Sequence, residues 1–119
     1  MSVCFSGAYT DSNLARKVYE FFESKYPFIA NYVVELYHCD LSDDNVKGWQ
    51  EKNDDEFLLH IEATLEEDEY IRTLFHELVH CVQDIKGVID YDEREDEAYS
   101  LEEQFFSEFI LTETSKVSP

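Results

Sequence analysis

The stretch TLEEDEYIRTLFHELVHCVQDIKG, Thr64 to Gly87, decides how the rest of this 119-residue chain is read. Ile71, Leu74, Phe75, Leu78, Val82 and Ile85 recur at spacings of three and four, which puts them on one stripe of an α-helix. Thr64 followed by Glu67 has the pattern of a capping box, and Gly87 is the residue type on which helices commonly stop. The spacing therefore predicts a helix over Leu65 to Lys86.

Inside that helix lies His76-Glu77-Leu78-Val79-His80, an HExxH motif. Residues four apart sit one turn above each other, so the two imidazoles project the same way and can share one metal ion at about 2.0 to 2.1 Å. They fall together off the centre of the apolar stripe, where a cleft can form. Glu77 is poorly aimed to bind the same ion but well placed to accept a proton from its water. His76 and His80 are thus candidate metal ligands, and Glu77 is the candidate general base.

A catalytic zinc ion (Zn2+) takes three protein ligands, and His80 is the last histidine of the chain, so the third is expected to be a carboxylate. Asp90 with Glu93 forms a second capping pattern, opening a helix whose Ala98, Leu101, Phe105 and Phe109 line one face up to about Thr112. Glu93, Glu95, Asp96 and Glu97 are the candidates there. Glu93 and Glu97 share a face flanking the apolar stripe, with Glu97 nearer its buried edge. Glu97 is the expected ligand and Glu93 a supporting or substrate-facing residue, with the reverse assignment left open.

Upstream, Leu14, Val18, Phe21 and Phe22 predict a helix from about Asp11 to Lys25, capped by Thr10 or Asp11 and ended by Pro27. Tyr32 to Cys39, Val46 to Glu51 and Phe57 to Ile61 read as strands. The turn-rich Asp40 to Asn45 follows the first, and Lys52 to Glu56 is a connection of hairpin length. The expected architecture is α+β: an N-terminal helix, a small, mostly antiparallel three-stranded sheet, the motif helix and a C-terminal helix. One domain over residues 1–112 is expected, with Glu113 to Pro119 fraying. Trp49, the only tryptophan, reads as a half-buried strand aromatic, and Cys81 as a small core residue.

Twenty-eight acidic against nine basic residues give a formal charge of -19, which repels nucleic-acid phosphates and anionic membranes. The same field attracts basic peptides or basic protein surfaces, and it also lets the chain imitate a polyanion. Three cysteines without a CxxC pair argue against a disulfide framework and fit a reducing, cytoplasmic setting. No apolar run approaches the length of a membrane span, and no signal-peptide pattern opens the chain.

TLFHELVHCVQ (Thr73 to Gln83), followed by EREDEAYSLEE (Glu93 to Glu103), resembles the gluzincins, zinc peptidases with HExxH and a downstream glutamate ligand. The likeness is closest to their short, single-sheet forms, the minigluzincins; it is specific over residues 64–105 and architectural before them. The resemblance implies a zincin-like fold and a metal-bound water as nucleophile, with Glu77 as its base. The family's ligand glutamate commonly precedes alanine, which matches Glu97-Ala98, whereas the acidic residue often found four positions later is replaced by Leu101. In this family the peptide typically adds as a strand to the sheet edge above the zinc, and Tyr91, Tyr99 or His60 is available to stabilise the oxyanion. Hydrolysis of a specific intracellular protein or peptide is the implied activity. The alternative is an acidic, nucleic-acid-mimicking binding or inhibitor protein on the same scaffold, without turnover.

Overall fold

The computed structural model describes residues 3–7, 12–41 and 46–116. The chain runs β1 (Val3–Gly7), α1 (Ser12–Lys25), a 3-10 helix (Pro27–Asn31), β2 (Val33–Cys39), β3 (Gly48–Asn53), β4 (Glu56–Glu62), α2 (Glu67–Lys86) and α3 (Tyr91–Lys116). The fold is α+β, with three α-helices and a mixed sheet. The three expected strands and three expected helices are all present. A further strand, β1, precedes them; Thr10, Asp11 and positions 42–45 lie outside the described residues.

The sheet order is β1-β2-β4-β3, and here the structure departs from the mostly antiparallel expectation. Only β3 and β4 pair antiparallel; β1 with β2, and β2 with β4, are parallel. Burial explains the order. Strands β2 and β4 alternate buried with half-buried positions throughout and bury Val34, Leu36, Phe57, Leu59 and Ile61, so they take the centre. Strand β3 carries Gln50, Glu51, Lys52 and Asn53, polar residues that suit an edge, and so folds back outside β4 instead of between β2 and β4.

All three helices contribute to one core with the inward residues of the sheet. Phe75 of α2 is its hub, with ring centroids 5.7 Å from Phe21, 6.4 Å from Phe22, 5.8 Å from Phe105 and 6.0 Å from Phe109. These contacts set the rotation of α2, and with it the direction in which neighbouring His76 points. Cys81 is fully buried, and Cys39 and Cys81 are free thiols. Among the described residues, no helix is long and apolar enough to cross a membrane.

Three helix ends test the capping patterns. Thr64 does not cap α2: its N–H and hydroxyl both donate to Glu62 Oε2, at 3.0 and 2.7 Å, so the helix starts three residues later, behind Glu66. Glu67, Asp68 and Glu69 then meet the positive end of the helix dipole. At the other end Gly87, with φ of 78°, places its N–H on Asp84 O and that of Val88 on Gln83 O, a Schellman stop. Asp90 Oδ1 accepts the N–H of Glu93 at 2.9 Å, as the second pattern anticipated. Helix α3 continues past Thr112 to Lys116, and Glu113, expected in a frayed tail, lies 3.5 Å from Lys17 of α1.

Gly48 brings β3 close to α2. A Cβ there would lie 2.8 Å from the His60 carbonyl oxygen and 3.2 Å from Thr73 Cγ2, so backbone must move to admit it. Gly48→Ala is expected to lower unfolding stability by about 1–3 kcal/mol through overpacking, read from urea denaturation at unchanged m-value. A cost below about 0.5 kcal/mol would show that the close approach is not needed.

Candidate metal centre

Helix α2 is enclosed by the sheet, α1 and α3, so even the polar residues of its middle turns are buried: His76 is 8% exposed, Glu77 6% and Gln83 1%. His76, Glu77 and His80 reach a cleft of about 740 Å3. Its walls are the edge of β3 from Gly48 to Gln50 and the first turns of α3, including Tyr91, Glu95, Tyr99 and Glu102.

Hydrogen bonds decide which imidazole nitrogens face the cleft. His76 Nδ1 lies 2.8 Å from Glu102 Oε1, and a carboxylate can only accept, so Nδ1 carries the proton. Gln83 Nε2 donates to the Arg94 carbonyl at 2.9 Å and to Glu97 Oε1 at 2.8 Å, which orients its amide and leaves Oε1 facing His80. His80 Nδ1 must therefore donate to Gln83 Oε1, at 2.7 Å. Both Nε2 atoms then present lone pairs when the rings are neutral, and they lie 3.1 Å apart. Glu95 Oε2 completes the group, 2.9 Å from His80 Nε2 and 3.3 Å from His76 Nε2.

Three acceptor atoms converge here, and Glu95 Oε2 is buried without a hydrogen-bond partner. Such a group calls for a cation. Two donors about 2.0–2.1 Å from a tetrahedral ion are themselves about 3.4 Å apart, close to the separations seen. His76, His80 and Glu95 are a cluster that fits a metal ion, two imidazoles and one carboxylate.

The third member is Glu95, where Glu97 was expected. Glu97 is directed to Gln83 and Glu93 is exposed, while the structure brings neither to the imidazole pair. The reason is helical phase. Stepping back three residues from buried Ala98 along the stripe of Ala98, Phe105 and Phe109 reaches Glu95, while Glu97 lies two residues further on, about 200° around the helix. The same stripe reaches Glu102, seven residues past Glu95, whose carboxylate accepts from His76 Nδ1. Gln83 also escaped the sequence reading, although its spacing of three from His80 on one helix was the available signal. Arg94 secures the junction, its Nη1 donating to Asp84 Oδ1 and Val88 O, each at 2.8 Å.

Of the three expected oxyanion donors, Tyr91 and Tyr99 line the cleft, and the Tyr99 ring lies 4.7 Å from that of His76. His60 does not: it stacks on Trp49 and Tyr37 on the sheet face turned away from α2. Comparison with family models, curated proteins and solved structures returns no match.

Burial pushes the Glu77 carboxyl up to about 7; the His76 charge pulls it down, and Glu95 and Glu102 push it further up. For His76, burial alone would lower the imidazolium pKa, yet the hydrogen bond from Nδ1 to Glu102 and the charges of Glu77, Glu95 and Glu102 outweigh it, leaving a net rise. Glu77, Glu95 and Glu102 together favour positive charge at His76.

Glu95→Gln is expected to abolish tight zinc binding in a chelator-competition titration. Glu102→Gln or Gln83→Ala, which unfix an imidazole without removing a ligand, should weaken it by about 10–100-fold. Tight binding kept in Glu95→Gln and lost in Glu97→Gln would return the third position to Glu97.

Proposed function

We propose that the chain is a zinc-dependent metallopeptidase of the gluzincin kind, with His76, His80 and Glu95 holding the ion and Glu77 acting as general base. The observation that carries this reading is the convergence of two Nε2 lone pairs and one carboxylate oxygen at the floor of a cleft, beside a buried glutamate. A zincin-like fold is supported by the order of a helix, a sheet and two helices, with the motif on the first of the final pair.

Zinc bound there supplies Lewis acidity and lowers the pKa of water in its coordination shell toward about 7. The chain's own residues do the rest. Glu77 takes the proton of the attacking water on its carboxylate and holds it for the leaving amine. The edge of β3, hydrogen-bonded to β4 on one side only, offers its other side to an extended peptide. Tyr91 or Tyr99 donates to the developing oxyanion. With so small a domain to wall it, the cleft suits one exposed segment of a particular protein better than general digestion.

The charge of -19 favours a basic substrate, and it equally fits an acidic module that acts by binding alone. Glu77→Gln separates the two. At equal zinc occupancy the variant should fold and hold zinc as the wild type does, yet cleave basic peptides about a hundred- to ten-thousand-fold more slowly. Cleavage kept in full by Glu77→Gln would remove Glu77 as the base, and no cleavage by the zinc-loaded wild type would leave a protein that works by binding, with the metal as a structural element.

A further inference from the structure

Among the described residues, no helix packs on the second face of the sheet, the one bearing Trp49, His60 and Tyr37. The Cβ direction at Gly48 points to Thr73 of α2, and Gln50 Nε2 donates to Asp84 of the same helix, so Trp49 and Glu51 project the opposite way. Register sets Trp49, His60 and Tyr37 in one row across β3, β4 and β2. Their rings stack, with centroids 4.6 Å and 5.3 Å apart. The next row is Glu51, Leu58 and Glu35.

Rings and carboxylates are tied together. The Trp49 indole N–H donates to Glu51 Oε1 at 3.3 Å, and the Tyr37 hydroxyl donates to Glu35. No lysine or arginine occupies an outward position of β2, β3 or β4. Glu56, one row further, has its carboxyl pKa raised by a hydrogen bond with Glu35, then by the charges of Glu35, Asp55 and Asp54. This face combines aromatic surface with negative charge.

Trp49 stands at the free edge, where its ring face turned away from His60 has no neighbouring strand. The cleft is also lined by Gly48, Trp49 and Gln50 of that edge. An extended segment added to it alternates its side chains, one set entering the cleft toward Glu77 and the other emerging beside Trp49 and Glu51. A cation arriving there meets an indole face and a carboxylate held beside it.

We propose that Trp49 and Glu51 form a subsite for a lysine or arginine side chain of an extended peptide lying along the β3 edge. The placement rests on the peptidase reading of that edge; the cation preference rests on the outer face alone. Glu35 and Tyr37 repeat the same pairing two strands away and extend the surface to a segment with several basic residues.

Trp49 is the only tryptophan, so its emission reports on the subsite directly. The probe is an alternating arginine–threonine peptide, compared with the same peptide carrying citrulline, titrated into full-length Glu77→Gln protein with and without zinc at physiological ionic strength. The arginine peptide should change Trp49 emission saturably and bind at least about tenfold more tightly than the citrulline peptide. Glu51→Gln should remove most of that preference, while Glu20→Gln, the same charge change on exposed α1, should leave it. Equal affinity for the two peptides, or equal loss from Glu51→Gln and Glu20→Gln, overturns the subsite in favour of overall charge. The preference measured without zinc does not depend on the peptidase reading, which fails separately if zinc is not taken up.

Discussion

Two neutral imidazoles whose only free lone pairs face each other at 3.1 Å, with a buried carboxylate oxygen beside both, cannot satisfy one another. Each is an acceptor, and a buried polar atom without a partner costs about 1–3 kcal/mol. The arrangement is stable only around positive charge, a proton or a metal ion. Protonation neutralises the centre in one way, consistent with the raised pKa of His76. A dication satisfies all three atoms at once, which a single proton cannot.

Much of the remaining fold keeps those three atoms together. The aromatic contacts of Phe75 set the rotation of α2, and Glu102 and Gln83 fix the two rings through their Nδ1 hydrogens. Gln83 also reaches the main chain of Arg94, and Arg94 holds the end of α2, so the first turn of α3 is placed before Glu95 has to point anywhere. On the opposite wall, Gly48 lets β3 approach, and the polar sequence of that strand keeps it at the sheet edge, where its main chain remains open to the cleft.

Helix α2 was legible because its apolar residues and its glycine stop act within one element, and HExxH is likewise a local pattern whose geometry follows from helical pitch. The existence of β2, β3 and β4 was legible for the same reason. Their order was not, since whether β3 enters the sheet centre or its edge depends on competition for burial among all the strands. Glu95 was among the four candidate carboxylates, but Glu97 was preferred as nearer the buried edge of the face it shares with Glu93; carrying the stripe of α3 back one turn from Ala98 selects Glu95. Thr64 shows the same limit on a smaller scale, since a neighbouring carboxylate, Glu62, outcompeted the helix for its donors.

The most direct test of the metal centre is the metal content of the native protein purified without chelator, followed by zinc titration of the stripped chain. The account predicts about one tightly held zinc per chain, lost on stripping and regained stoichiometrically. A chain that carries no zinc and shows no affinity for added zinc would contradict it.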